Sequence, residues 1–369
     1  MTGFTAPRTW PRELTQKWKV TVGAGDATPA LTGDKLYVFA RQGEDEVTLC
    51  LSADDGKELW RNKYAAPVLS GPAARHPGPR SSPTVAEGKV VTLGASGILS
   101  CLDAATGNEV WRKDEFTKAV PQFYTAMSPI IADGLCIAYL GGKDDGAIIA
   151  IDLATGSQKW RWVGDGPGYA SPVLMTVDGT KQIVAMTEKS IVGVAAADGK
   201  LLWQIPAVPQ GRFYNSASPI VDGQRVMYTG QGQGTKAVKV EKKGDGFTTQ
   251  ELWSNAELGT GYDTPVLKDG FLYGLSDRGN FFCMNSQTGQ AAWINTNRLT
   301  SFGAILDAGS VMLALPEKSG LVVFQPNEKQ YEELARIKVS ETPIYTHPVV
   351  AGNRIFVKDQ DTLTLWTTE

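Results

Sequence analysis

Apolar and polar positions recur along this chain in a fixed order, and one stretch shows the order most fully. Between Ser82 and Arg112, SPTVAEGKVVTLGASGILSCLDAATGNEVWR, short apolar runs alternate with turn residues. An inner strand follows Ser82-Pro83, and Ala86-Glu87-Gly88 leads into a second run from Val90 to Leu93. Gly94-Ala95-Ser96-Gly97 leads into a third from Ile98 to Leu102, and Asp103 to Gly107 turns the chain into a fourth carrying Val110 and Trp111. In that last turn the Asp103 carboxylate is expected to accept backbone N–H bonds, and Gly107 to take the positive φ that a Cβ would oppose. Trp111 then lies in the outer strand, its flat face available to cover the neighbouring sheet. Burying ~200 Å² of indole stabilises by up to about 5 kcal/mol, an upper bound because the unfolded chain already hides part of that area.

Copies of this unit run from end to end. Trp18, Trp60, Trp111, Trp160, Trp203, Trp253 and Trp293 are separated by 42, 51, 49, 43, 50 and 40 residues, and in five copies a glycine stands four residues before the tryptophan. A second marker precedes each inner strand: Thr28-Pro29, Ser82-Pro83, Ser128-Pro129, Ser171-Pro172, Ser218-Pro219, Thr264-Pro265 and His347-Pro348, with Gly303-Ala304 as a degenerate member. A period of 40 to 50 residues with four short strands per repeat predicts a β-propeller, because one blade cannot bury both of its faces alone. Eight starts predict eight blades. The last repeat, His347-Pro348 to Trp366, has only three strands, while Leu14 to Val20 has the outer-strand pattern with nothing before it. The expected fold is therefore an all-β, eight-bladed propeller of four-stranded antiparallel blades, closed by the N-terminal strand, with residues 1–13 as a tail and 14–369 as one domain. The seventh blade is expected to be the weakest, since Tyr331 to Ile337 stands where a turn glycine and a tryptophan belong.

Composition sharpens this picture. A chain that is 42% hydrophobic and only 20% charged, with 40 glycines and 20 prolines among 369 residues, suits a domain of strands and turns. A net charge of −3 supplies no field to attract nucleic acid or an anionic membrane, and no apolar run approaches the ~20 residues of a membrane span. Residues 1–13 lack a signal-peptide pattern, so the chain is expected to be periplasmic or secreted with its export signal outside this sequence, or else cytosolic. Cys50, Cys101 and Cys283 each stand six residues before a turn glycine, where other copies have Ala150 and Gly193. The position calls for a small side chain, and blades pack ~10 Å apart, so four free, buried thiols are expected.

Candidate chemistry gathers on one face. In an up-and-down blade the middle loops emerge on the same side as the blade-to-blade connections, and those connections vary from 11 to 23 residues. The longest, Arg61 to Ser82, is either a proline-stiffened surface cover or presents Arg75, His76 and Arg80 over the central funnel as an anion or sugar-hydroxyl site. Before the inner strands an aromatic recurs: Phe123-Tyr124, Tyr169, Phe213-Tyr214, Tyr262, Phe302 and Tyr345, with Asp26 and Arg80 in the other two blades. These either pack on one another as fold elements or form a collar whose rings stack on a ligand. The candidate binding residues are His76, Arg80, Tyr124, Tyr169, Tyr214, Tyr262, Tyr345 and His347. The middle loops (Arg41 to Glu46, Lys143 to Asp145, Glu188-Lys189, Lys236, Asp277-Arg278, Glu317-Lys318, Lys358 to Asp361) alternate in sign and read as a solvated rim. Catalytic and metal templates are missing: there are two histidines, and no Gly-x-Ser-x-Gly, Cys-x-x-Cys or phosphate-loop pattern.

The repeat, most clearly Gly88 to Trp111, Gly134 to Trp160 and Gly270 to Trp293, resembles the pyrroloquinoline-quinone-type propeller repeat over about residues 14–366. Two groups share it. Quinoprotein alcohol dehydrogenases carry an adjacent cysteine pair, calcium-binding acidic and amide residues and long insertions; here no two cysteines are adjacent and most connections are short. The size, plain blades and closing strand are similar to the BamB-like group of outer-membrane assembly proteins. That resemblance implies a non-catalytic, monomeric binding or scaffold propeller of the bacterial envelope, without cofactor, taking a protein partner or a small polar ligand such as a sugar or peptide. The alternative it implies is an oxidoreductase acting on an alcohol or sugar in the funnel, with pyrroloquinoline quinone and calcium.

Overall fold

The computed structural model describes residues 3–209, 211, 213–300, 302–316 and 320–369. They form eight four-stranded antiparallel sheets and a single short 3-10 helix, Gly71–Arg75. Blades 1 to 7 run in chain order, from Ala30–Thr32 through Glu58–Ala65 for blade 1 to Gly303–Asp307 through Glu333–Lys338 for blade 7. Blade 8 consists of Val349–Ala351, Arg354–Lys358 and Thr362–Thr367, completed by Thr15–Thr21 from the front of the chain. Trp18 pairs with Leu365 and Val20 with Leu363, so the expected closing strand is in place. Ahead of it, Phe4 and Trp10 stack at 6.3 Å and pack with Ala6 on the apolar cluster of blades 7 and 8 around Leu313, Ile337 and Ile355.

The tryptophans are staples between blades. Each indole N–H of Trp18, Trp60, Trp111 and Trp160 donates to a turn carbonyl of the next blade, those of Ala53, Ala104, Leu153 and Ala196, at 3.0 to 3.2 Å. The turn glycine is obligatory for two reasons: Gly107 has φ 73°, and a Cβ there would meet Trp60 at 2.4 Å. Asp103 accepts from the N–H groups of Ala105 and Thr106 at 3.1 and 3.0 Å, as its place in the turn predicts. The small residue six positions before that glycine lies directly opposite the tryptophan: Cys50 pairs with Trp60, Cys101 with Trp111, Ala150 with Trp160, Gly193 with Trp203 and Cys283 with Trp293. A bulge follows each of these pairs. All four cysteines are free and buried.

Blades 5 and 7 depart from the rule. Blade 5 replaces the tight third turn by a long hairpin, Gly234–Lys243 to Gly246–Asn255, so Trp203 finds no turn glycine ahead and donates to Gln182 of its own blade at 2.6 Å. In blade 7 Ala335, opposite Val323 just before the bulge, stands where the other blades carry tryptophan, and Tyr331 in the preceding turn packs back on blade 6, stacking on Phe281 at 5.7 Å and meeting Trp293 edge-on at 5.6 Å.

The Ser/Thr-Pro markers form a chain of hydrogen bonds around the channel. The backbone N–H of Thr28 donates to the Ser82 hydroxyl, Ser82 to Ser128, Ser128 to Ser171, Ser171 to Ser218, Ser218 to Thr264, and His347 to Thr28, all at 2.9 to 3.0 Å. Blade 7 begins with Gly303, which has no hydroxyl to accept the next link. A marker legible in the sequence thus joins the innermost edges of successive blades.

Candidate functional site

The residues before the inner strands converge on the funnel mouth in two aromatic groups. In the first, Phe123, Tyr169 and Tyr214 meet edge-to-face at 5.2 to 6.1 Å. The Tyr169 hydroxyl accepts the Phe123 N–H at 3.2 Å, and the Tyr214 hydroxyl donates to Gln122 at 3.2 Å. Burial pushes the Tyr169 phenol up to about 12. In the second, Tyr262 stacks flat on Phe302 at 4.3 Å, Phe302 meets Tyr345 at 6.1 Å, and Tyr345 meets His76 at 4.8 Å. Rings of neighbouring connections therefore do pack on one another, which is the structural role weighed for them in the sequence.

The longest connection lies beside them. His76 Nδ1 sits 2.7 Å from Asp26 Oδ2, and that carboxylate raises the imidazole above the ordinary histidine range. Arg80 Nη2 donates to the carbonyls of Ala73 and His76 at 3.3 and 3.0 Å, and burial lowers its affinity for a proton. The Tyr124 hydroxyl accepts the Ser70 N–H at 3.1 Å, tying two connections together. His347 lies lower, at the hydroxyl chain. Its surface is exposed, and desolvation by the protein around it holds its imidazole below the usual range.

The eight candidates do not share one pocket. Tyr169 and Tyr214 line a cleft of about 360 Å³ together with Gln122, Lys143, Glu188, Lys189, Phe213 and Asn215. The middle-loop charges of blades 3 and 4 and the aromatic collar, alternatives in the sequence, thus border the same cavity. His76 and Arg80 gather on the side of blades 1 and 2, Tyr262 and Tyr345 on the side of blades 6 to 8.

The reading of the middle loops as a solvated rim needs correction in blades 1 and 8. Glu46 is 1% exposed, its carboxylate accepting from the Tyr64 hydroxyl at 2.6 Å and the Ala95 N–H at 3.0 Å, and burial raises its pKa. Lys358 is fully buried: its ammonium donates to the carbonyls of Gly25 and Asp359, and desolvation lowers its pKa to about 8. Arg41 is buried as well, donating to the carbonyls of Ala66 and Pro67. Sequence gave no sign of this, because alternating charges look the same whether they face water or backbone carbonyls across a seam. Asp144 and Lys189, by contrast, pair in solvent. Glu317-Lys318 lies outside the described residues. The structure also adds Asp263, buried beside Tyr262, whose carboxyl is pushed up to about 7 by desolvation.

Comparison with known proteins now places the chain. The profile of the family described as outer membrane protein assembly factor BamB matches residues 11–143 and 74–295. The chain belongs to the BamB family. Among individual members, outer membrane protein assembly factor BamB of Burkholderia pseudomallei is 24% identical over 366 residues, which is 95% of this chain and 86% of that protein. The crystal structure of BamB from Moraxella catarrhalis superposes with a TM-score of 0.70 at 16% identity, covering 96% of this chain and 97% of that one. Quinohemoprotein alcohol dehydrogenase from Comamonas testosteroni has the same fold, with a TM-score of 0.73 at 15% identity, but sequence similarity to it spans 37% of this chain and 19% of the dehydrogenase. Both structural likenesses establish the propeller fold, and the family match selects between the two groups that share the repeat.

The quinone and calcium of the dehydrogenases would need an acidic and amide ligand set beside an adjacent cysteine pair. Among the described residues no three of His, Cys, Asp and Glu come together in a group that could hold a metal ion. The cysteines are single thiols in blades 1, 2, 3 and 6, with Cys50 and Cys101 pushed up to about 11 and about 12 by burial. This donor set does not fit a calcium-held quinone. Among the described residues no helix is long and apolar enough to cross a membrane.

Proposed function

We propose that this BamB-family propeller is a non-catalytic scaffold of the bacterial envelope, working on the periplasmic side in the assembly of outer membrane proteins and docking a protein partner on the face of variable connections. The observation that carries the reading is the cleft between blades 3, 4 and 5. There the flat rings of Tyr169 and Tyr214 meet Lys143, Glu188 and Lys189, and the connection after blade 4 exposes Val208 at 60% and Phe213 at 39%. Exposed apolar side chains rimmed by both signs of charge suit an extended polypeptide, which needs desolvation for its side chains and hydrogen-bonding groups for its backbone.

The test is site-specific photocrosslinking from position 208 with unfolded outer-membrane polypeptides and assembly partners, in parallel with binding to a Tyr169→Ala, Tyr262→Ala double variant. Crosslinks at 208 and lost binding at unchanged melting temperature are expected. Unchanged affinity in the double variant sinks the funnel mouth as the docking face.

A further inference from the structure

Arginine follows the tryptophan position of the outer strand in blades 1, 2, 3 and 7. In three of these blades a glutamate three residues earlier holds it: Glu58 pairs with Arg61, Glu109 with Arg112 at 2.7 Å and Glu333 with Arg336 at 2.7 Å. Blade 3 has Gln158 at that place, so Arg161 lacks the acid that the repeat supplies elsewhere. A second pair is missing from the same blade. In blade 1, Asp45 at the head of the third strand meets Lys63 at 2.7 Å, whereas in blade 3 the equivalent Asp145 has Val163, 61% exposed, in place of the lysine. Two built-in ion pairs are thus broken in one blade, one by loss of its anion and the other by loss of its cation.

Both stranded charges border one cavity. It holds about 270 Å³ at the outer seam of blades 2 and 3, between the connection after blade 2 and the strands of blade 3, and shares no residue with the funnel cleft. Leu140 and Ala147 form a buried apolar wall, and Phe116, packed on the core, forms another. Lys118 adds a second cation, while Glu115 is taken by Lys113 at 3.4 Å. Among the described residues none of Arg161, Lys118 and Asp145 makes a side-chain hydrogen bond or an ion pair. Nor can the arginine and the acid neutralise each other: Arg161 faces Ile149, four residues beyond Asp145, which puts ~13 Å of strand between them. Unpaired charge of both signs on the rim, with apolar walls between, suits a ligand that carries both charges on a compact apolar body.

We propose that this seam pocket binds a small zwitterion, an α-amino acid with an apolar side chain. Its carboxylate accepts from Arg161, supported by Lys118, and its ammonium donates to Asp145. Its side chain covers Phe116, Leu140 and Ala147. The ligand supplies from outside the acid that blades 1, 2 and 7 carry in their own strands and the base that blade 1 carries. Its binding does not depend on the docking cleft between blades 3, 4 and 5.

The experiment is equilibrium dialysis of the full chain against radiolabelled L-leucine, N-acetyl-L-leucine and L-leucinamide. Leucine should bind, and blocking either of its charges should weaken binding roughly tenfold, the effect of one charge-assisted hydrogen bond. Arg161→Gln should weaken leucine but not leucinamide, and Asp145→Asn should weaken leucine but not N-acetyl-leucine. Gln158→Glu rebuilds on the surface the pair that blades 1, 2 and 7 contain, and should abolish binding at unchanged melting temperature. Equal binding of leucine and its two blocked forms to the unmodified protein overturns the zwitterion site without needing any variant to fold. Leucine binding left intact by Gln158→Glu overturns it as well, and so does the absence of binding at ~10 mM leucine. Flotation with phosphatidylethanolamine vesicles that is lost in Gln158→Glu, without any binding of leucine, overturns a free amino acid in favour of a lipid head group of the same charge pattern.

Discussion

The two sides of the funnel mouth are built from different materials. Where blades 8, 1 and 2 meet, the interior holds Lys358, Glu46 and Arg41, each satisfied largely by backbone groups or a hydroxyl. Where blades 3, 4 and 5 meet, it holds the rings of Phe123, Tyr169 and Tyr214. Rings pack without needing particular partners and tolerate a movable, open cleft. Buried charges are stable only when every donor and acceptor is placed, so the first side must be rigid. That rigid side is also where the ring of blades closes.

Breaking the closure should have the largest effect. Deleting residues 1–22 removes Thr15–Thr21 and leaves Thr362–Thr367 as an unpaired edge, so the variant should aggregate; unchanged melting and solubility by scattering would show that blade 8 holds with three strands. Next comes the buried lysine. Lys358→Ala strands the Gly25 and Asp359 carbonyls and opens a cavity, and should cost about 3–5 kcal/mol in urea unfolding.

Lysine 358 also predicts a pH dependence. Its pKa is depressed to about 8 in the folded state, so between pH 8 and the ordinary lysine value the unfolded chain binds the extra proton, and this component of stability rises with pH. Buried thiols and phenols, with raised values, pull the other way. The difference between the native protein and Lys358→Met across that range isolates the lysine.

On the aromatic side the effects should be smaller. Asn215 donates to the Thr187 and Ala207 carbonyls at 2.9 and 2.8 Å and accepts from Gln233, so Asn215→Ala should cost about 2–3 kcal/mol. Tyr169→Phe leaves only the Phe123 N–H without its acceptor, about 1 kcal/mol by the same measurement. The smallest effect should come from His76. Its raised pKa means that the contribution of the Asp26 pair is present below the unfolded histidine value and fades as pH rises through the folded one; Asp26→Asn should flatten that slope in melting temperature between pH 6 and 8. A slope unchanged by Asp26→Asn would remove the pair from the rigid side of the comparison.

The spacing of seven tryptophans and eight inner-strand starts determined the blade count, the closing strand and the place of the free cysteines. These follow from the sequence alone because one blade repeats a local pattern, and a small residue faces the indole in the five repeats that carry the turn glycine. The collar was legible as positions, since each aromatic stands at the same step of its own repeat. Only the tertiary structure decided what those positions do. Ser82 accepts from Thr28, 54 residues away, and Thr28 from His347, 319 residues away, so the hydroxyl chain exists only once the ring has closed. The same holds for charge: Lys358 and Lys189 occupy equivalent middle loops in similar company, yet one meets the Gly25 carbonyl across the closing seam and the other meets Asp144 in water. Local sequence sets a residue's height along its blade; whether backbone or solvent stands opposite is set by the neighbouring blade.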